Sequence, residues 1–398
     1  MTKSVSRIAM NINPSTTLAI DALFKKMKAD GIDVVGFGAG EPDFPTPDNI
    51  KQAAINAIVE NKTRYSPVSG IPELRQAVCD RLYEDIGIEY DPSQVVVSSG
   101  AKHIIYTLLM CLLNNNDEVI IPTPYWVSYS EMVAQARGKC VFLDATEENS
   151  FKVTADQIAK VITSKTKVLF LNSPSNPTGM IYSRAEMQAI ADLCVKHKIY
   201  VISDEIYYKL VYDNKEFVSI ASCGEEIKKL AILIHGVSKT YCMTGFRIGY
   251  ALCNEQIAQI MANYLSHSTS CSCTVSQYAA LEALTGDQEQ INVMLKEFEK
   301  RRDHMVERMN KIEGISCIKP EGAFYIMMNM TPYSGKTMYE KLIHDDNDFA
   351  KLFLEKGLVA TVPCSGFGCK NYIRWSYATS MEEIDRGLDR LEEFIKNS

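Results

Sequence analysis

QVVVSSG (94–100), EVIIPTP (118–124), KVLFLNSP (167–174), YVISDE (200–205), LAILIHG (230–236) and RIGYALC (247–253) are short β-rich runs separated by segments with helical patterning. That alternation predicts an α/β sheet. The runs are continuously apolar instead of alternating, which fits strands covered by helices on both faces, as parallel strands require. Open sheets of this kind bind ligands just past the carboxyl ends of their strands. The polar punctuation falls there: Gly100, Asn172, Asp204 and the pair Ser238-Lys239.

Beyond this region the pattern changes. From about residue 286 a long charged helix, EQINVMLKEFEKRRDHMVERMNKI, precedes strands at GAFYIMMNM, LVATVP and YIRWSYA interleaved with helix. This predicts a second, smaller α+β domain over 286–398 after a large domain over 48–285. Ser183-x-x-Glu186 and Ser380-x-x-Glu383 read as capping boxes, the second opening the C-terminal helix. A chain of 398 residues exceeds a typical single-core domain, in line with two.

With 46% hydrophobic and 23% charged residues, the composition is that of an ordinary globular protein. The 49 acidic against 42 basic residues give a net charge of −7 and no dense basic block, which argues against a nucleic-acid partner. No apolar stretch approaches the roughly 18 residues of a membrane span, and the N-terminus lacks the apolar core of a signal peptide, so a cytoplasmic location is expected. Twelve cysteines are scattered without a CxxC pair, which predicts reduced core thiols and no metal site.

SKTYCMTGFRIG (238–249) carries the most chemistry. The hydroxyls of Ser238 and Thr244, the Arg247 guanidinium and the glycine backbone form a phosphate-binding set, and a lysine beside a phosphate-bearing cofactor can form a Schiff base. Ser99-Gly100-Ala101-Lys102 sits between a strand and the helical run HIIYTLLMCLL, which places free backbone N–H groups at a helix N-terminus, a favourable phosphate site. Asn172-Ser-Pro-Ser-Asn176-Pro-Thr-Gly179 makes a rigid loop. Trp126, one of two tryptophans, either stacks on a flat ligand ring or fills core. Arg374 lies in an otherwise large and apolar strand, so it needs an anion, either a ligand carboxylate or an internal salt bridge.

In this order, PYWVSY, NSPSNPTG, SDEIYY and SKTYCMTGFRIGY resemble the class I and II aminotransferases, fold-type-I enzymes that use pyridoxal 5'-phosphate, and most closely their bacterial aspartate-specific branch. The resemblance spans nearly the whole chain, from Pro14-Ser-Thr-Thr17 and Gly38-Ala-Gly40-Glu-Pro-Asp-Phe to Arg374. It implies a large domain with a mostly parallel seven-stranded sheet, an N-terminal segment (1–47) packed with the small domain, and a homodimer with shared active sites. Lys239 would carry the cofactor and act as general acid and base. Asp204 would face the pyridine nitrogen, while Asn176 and Tyr207 would hydrogen-bond the ring oxygen. Gly100, Ala101, Lys102, Ser238, Arg247 and a partner-reaching Tyr65 would surround the phosphate. Gly40, Trp126, Asn176 and Arg374 would contact the amino acid, with Lys102 and Thr17 receiving a side-chain carboxylate.

The expected reaction is reversible ping-pong transfer of an amino group between L-aspartate and 2-oxoglutarate. Asn13 stands where prephenate-accepting relatives carry a basic residue, which lowers that alternative. An aminotransferase for neutral or aromatic amino acids and a C–S β-lyase using the same lysine are the other readings. A cofactor-sensing regulator would need a DNA-binding module, for which the chain is expected to have no room.

Overall fold

The computed structural model describes residues 5–14 and 16–398, so Ser15 of the Pro14–Thr17 motif lies outside the described residues. Seven strands form the large sheet: β1 (Val95–Ser98), β2 (Glu118–Thr123), β3 (Lys139–Asp144), β4 (Thr166–Asn172), β5 (Tyr200–Asp204), β6 (Ala231–Gly236) and β7 (Gly249–Leu252). Their order is β1-β7-β6-β5-β4-β2-β3. The pairs β3/β2, β2/β4, β4/β5 and β5/β6 are parallel, whereas β7 runs antiparallel to both β6 and β1. The sheet is therefore mostly parallel, as expected.

Successive side chains of these strands enter two different apolar layers. Leu169, Leu171, Val201 and Leu233 pack on one side with Leu74, Ile190 and Ala280. Phe170, Ile202, Ile232 and Ile234 pack on the other with Ile104, Leu108 and Met261. Burial on both faces makes the strand sequences continuously apolar. The edge strand β3 is the exception; its Phe142 is 48% exposed.

The second sheet has four antiparallel strands, β8 (Ser316–Cys317), β9 (Tyr325–Asn329), β10 (Val362–Pro363) and β11 (Tyr372–Ser376), in the order β10-β11-β9-β8. With the helices Glu289–Met309, Asp346–Gly357 and Met381–Lys396 it encloses a core around Phe298, Phe324, Phe353 and Trp375. Val35–Gly36 pairs in parallel with Val359–Ala360, and the Ser376 N–H donates to the Phe37 carbonyl at 2.9 Å. Residues 35–37 are thus stitched to the strands at 359–360 and 376. Ser183 caps its helix with a reciprocal box, but at Ser380 the Glu383 carboxylate turns to Arg386 and only the Ser380 half of the box forms.

Candidate active site

Strand register assembles the site. Asn172 and Asp204 are paired Cα partners at the carboxyl ends of β4 and β5, and Ser98 and Gly236 both pair with Gly249. The loops that leave β1, β4, β5 and β6 therefore emerge along one edge of the sheet, the ligand-binding edge of an open α/β fold.

Asp204 is 4% exposed. Its Oδ2 accepts a 2.6 Å hydrogen bond from the Tyr129 hydroxyl and its Oδ1 accepts from the Ile206 N–H at 3.3 Å. Burial lifts its carboxyl to about 6, against the opposing pull of these two donors. The Asn172 amide donates to the Asp204 carbonyl at 2.8 Å, and the Asn172 Oδ1 accepts the Asn176 N–H at 2.7 Å, which locks the loop after β4 onto the end of β5.

Lys239 is partly buried, and its Nζ donates to the Gly40 carbonyl. Burial is the main cause that pulls its amine down to about 8; Glu41 opposes this, and the cations Arg247 and Arg374 add to it. Both guanidiniums and the Asp204 carboxylate are thus electrostatic neighbours of one amine. Glu41 also accepts from the Thr244 hydroxyl at 2.6 Å, so that hydroxyl, read from sequence as a phosphate ligand, is engaged by a carboxylate.

Ser238 is nearly buried beside Lys239. Arg247, at a φ of +57°, folds its guanidinium onto the Thr244 carbonyl at 2.9 Å and the Ser99 carbonyl at 3.3 Å. Gly100 has a φ of +89°, and a Cβ there would collide with that guanidinium; a Cβ on Gly249 would collide with the Ala101 nitrogen. These glycines allow the lysine loop to lie against the start of the helix Ala101–Leu112. His103 N–H is the first to turn back along this helix, to the Gly100 carbonyl, which leaves the Ala101 and Lys102 N–H groups at its open, positive end.

Arg374 stands mid-strand in β11, opposite Met327 and Val362, and is 1% exposed. Its Nη1 donates to the Asn176 Oδ1 at 3.1 Å and its Nη2 to the Gly38 carbonyl at 3.0 Å, while its Nε has no partner among the described residues. The guanidinium carbon sits 4.4 Å from the Tyr325 ring centroid and 5.1 Å from that of Phe367. Among the described residues no carboxylate forms an ion pair with it, so the internal salt bridge allowed by sequence is not there. Tyr207, 4% exposed, shares a 3.1 Å hydroxyl contact with Tyr325, and burial and Tyr325 raise its phenol well above the ordinary range.

Lys102 holds its ammonium 4.8 Å from the centre of the Trp126 ring, and burial, reinforced by Arg247, lowers its amine. Trp126 meets Tyr129 edge-on at 5.4 Å. Lys102, Arg247 and Ser99 also line a cavity of about 650 Å³ that reaches Asn13 and Glu131; the Asn13 amide donates to Glu131 at 3.1 Å. Thr17 is half-buried in the helix Thr16–Ala29. Tyr65 is not brought to this cluster in the single chain; it is 93% exposed.

Sequence reasoning assigned no role to Tyr129, Glu41 or Tyr325, although the motifs that contain the first two were singled out. Their contacts reach 75, 203 and 118 positions along the chain, so no local pattern announces them.

Residues 32–391 match the family described as aminotransferase class I and II. The aspartate aminotransferase of Bacillus sp. strain YM-2 is 47% identical over 97% of each chain. A probable aspartate/prephenate aminotransferase of Aquifex aeolicus is 42% identical over 100% of each. The crystal structure of the Rhizobium meliloti aspartate aminotransferase superposes with a TM-score of 0.96 at 38% identity, covering 100% of both chains. The chain belongs to the class I and II aminotransferase family and has its fold-type-I architecture. No described helix is long and apolar enough to cross a membrane, and the described residues hold no cluster suited to a metal ion.

Proposed function

We propose that this chain is a pyridoxal 5'-phosphate-dependent aminotransferase acting reversibly on L-aspartate and 2-oxoglutarate. The observation that carries the reading is Arg374: a desolvated guanidinium that, among the described residues, has no partner for its Nε and no carboxylate partner, held in one site with Lys239 and Asp204. A buried cation of this kind is completed by a bidentate carboxylate, which every α-amino acid and 2-oxo acid carries.

The residues present fit the cofactor. The open N-terminus of Ala101–Leu112, the close glycine approaches at Gly100 and Gly249, Ser238 and Arg247 make a cradle for its phosphate. Asp204 would hold its ring nitrogen, Asn176 and Tyr207 its ring oxygen, and Trp126 its ring face. Bound covalently at Lys239, the cofactor would supply an electron sink for bond breaking at the substrate α-carbon. Lys239 Nζ, released as a neutral amine, would accept the α-proton; an amine at about 8 is neutral in roughly one molecule in ten at pH 7, against fewer than one in a thousand at its ordinary value. Gly40 and Arg374 would orient the substrate so that this proton faces Nζ. The domain division at 47/48 and 285/286, the homodimer in which Tyr65 completes the partner's phosphate site, and the cytoplasmic location belong to the same proposal.

Aspartate specificity is supported by the names of the relatives and by Lys102, which with Thr17 would receive a second carboxylate. Asn13 is neutral and its amide is engaged by the Glu131 carboxylate, so this position offers no positive charge to the extra carboxylate of prephenate. The test is the visible absorption of the purified protein before and after L-aspartate is added without any oxo acid. Loss of the yellow band with stoichiometric oxaloacetate is expected. Of aspartate, alanine and phenylalanine, aspartate as the poorest donor would sink the specificity.

A further inference from the structure

We propose that the buried pair His235–Glu205, on the face of the large sheet opposite the Asp204 carboxylate, is a positioning pair that sets the charge and orientation of that carboxylate. The inference rests on the reading of Asp204 as the partner of the cofactor ring nitrogen.

Strand alternation separates the two groups. Ile202, two residues before Asp204, belongs to the apolar layer with Phe170 and Ile234, whereas Val201 belongs to the layer with Leu233. Ser203 therefore points away from Asp204, and its hydroxyl donates to Glu205 Oε1 at 2.8 Å. The Ser219 hydroxyl donates to the same oxygen at 2.8 Å, and His235 Nε2 meets Oε2 at 3.0 Å. Both serine hydroxyls donate to Oε1, and in the tautomer that places the ring proton on Nε2 His235 gives Oε2 a donor as well, so the three groups converge on one carboxylate. Glu205 is 0% and His235 1% exposed. The imidazole lies between the Tyr208 ring, edge-on at 4.7 Å, and the Tyr250 ring, parallel at 6.2 Å.

A buried pair of this kind stabilises a fold no better than apolar residues of similar volume, so its place directly beneath a site needs another reason. Two connections supply one. Glu205 is the next residue after Asp204; its N–H is fixed to the Ile234 carbonyl at 3.0 Å, and the following N–H, of Ile206, holds Asp204 Oδ1. The pair is also within electrostatic reach: Glu205 favours the protonated form of Asp204 and His235 the ionised form. The other titratable groups around this unit are Tyr129, Tyr207 and Lys239 toward Asp204, and Tyr90, Tyr208 and Tyr250 around the pair.

The test follows the carbonyl stretch of the protonated Asp204 side chain by infrared spectroscopy against pH in the full-length, cofactor-free chain, assigned by its loss in Asp204→Asn. Glu205→Gln should move the midpoint down and His235→Gln should move it up, each by about one pH unit. General loosening would move both variants the same way, so shifts of equal sign, or none, overturn the proposal. If His235→Gln does not fold, Ser219→Ala, which removes one donor from Glu205, should give a smaller upward shift, and a downward shift or no shift there is equally fatal. Because this titration needs no cofactor, its failure leaves the role of Asp204 standing; full transamination by cofactor-loaded Asp204→Asn would instead remove that role.

Discussion

Lys239, Asp204 and Arg374 are legible one residue at a time because each is a charged group in an apolar context: two follow β-runs and one interrupts a strand of large side chains. What sequence does not carry is how each is tuned. The Lys239 amine falls to about 8 because folding desolvates it and sets it near Arg247 of its own loop and Arg374 of a distant strand, a property of the folded chain. This gives a pH dependence with a definite sign. Only the neutral amine attacks an aldehyde, so the cofactor-free chain should form a borohydride-trappable adduct with pyridoxal phosphate at Lys239 with a rate that rises with pH and is half-maximal near 8. Surface lysines should stay slow until pH approaches their ordinary value of about 10.4. Peptide mapping of trapped samples checks it; half-maximal labelling of Lys239 well above pH 9 would contradict the burial argument. The same lysine disfavours its charged form in the fold, so its contribution to stability improves as pH rises from about 8 toward the unfolded value.

At the scale of elements, six of the seven large-sheet strands are visible as apolar runs, and the seventh is not. Strand β3 lies at an edge with Lys139, Phe142 and Asp144 exposed and none of its residues fully buried, so it lacks the continuous burial that marks the others. Nor does composition betray that β7 runs against its neighbours, since a strand buried on both faces is apolar whichever way it points. The antiparallel turn matters to the site: it brings Gly249 against the Gly100–Ala101 peptide, where an added Cβ would strike backbone atoms that cannot rotate away. Gly249→Ala should therefore push the lysine loop off the open end of the helix Ala101–Leu112. The expected result is an affinity for pyridoxal phosphate at least about tenfold weaker, with a loss of roughly 1–3 kcal/mol in stability from overpacking. Fluorescence titration and denaturant unfolding measure the two effects, and unchanged cofactor affinity would show that this approach does not shape the cradle.

Across the whole molecule, the charged helix Glu289–Met309 links parts that sequence reading could only place side by side. Its two adjacent arginines point to different partners. Arg301 grips Asp43 through both carboxylate oxygens, at 2.8 and 3.0 Å, and so holds the segment whose Gly40 carbonyl meets Lys239. Arg302, 0% exposed, makes a two-pronged pair with Asp213 at 2.9 and 3.0 Å and also donates to the Pro320 carbonyl, beneath the Tyr212 ring. Periodicity marks this helix as amphipathic but gives no sign that Arg301 and Arg302 lie on its buried side, because arginine reads as surface until its counterions are known. The partners predict different losses. Arg301→Ala should free Asp43 and loosen the substrate segment, raising KM for the amino donor by about tenfold while kcat changes little and the cofactor stays bound. Arg302→Ala removes a wholly buried cation and its packing, so about 3 kcal/mol of stability should be lost with kinetic constants near normal at low temperature. Thermal unfolding and steady-state kinetics on both variants separate the roles. If Arg301→Ala lowers the unfolding temperature as much as Arg302→Ala and leaves KM unchanged, the Arg301–Asp43 contact is part of the scaffold and the substrate segment is held by something else.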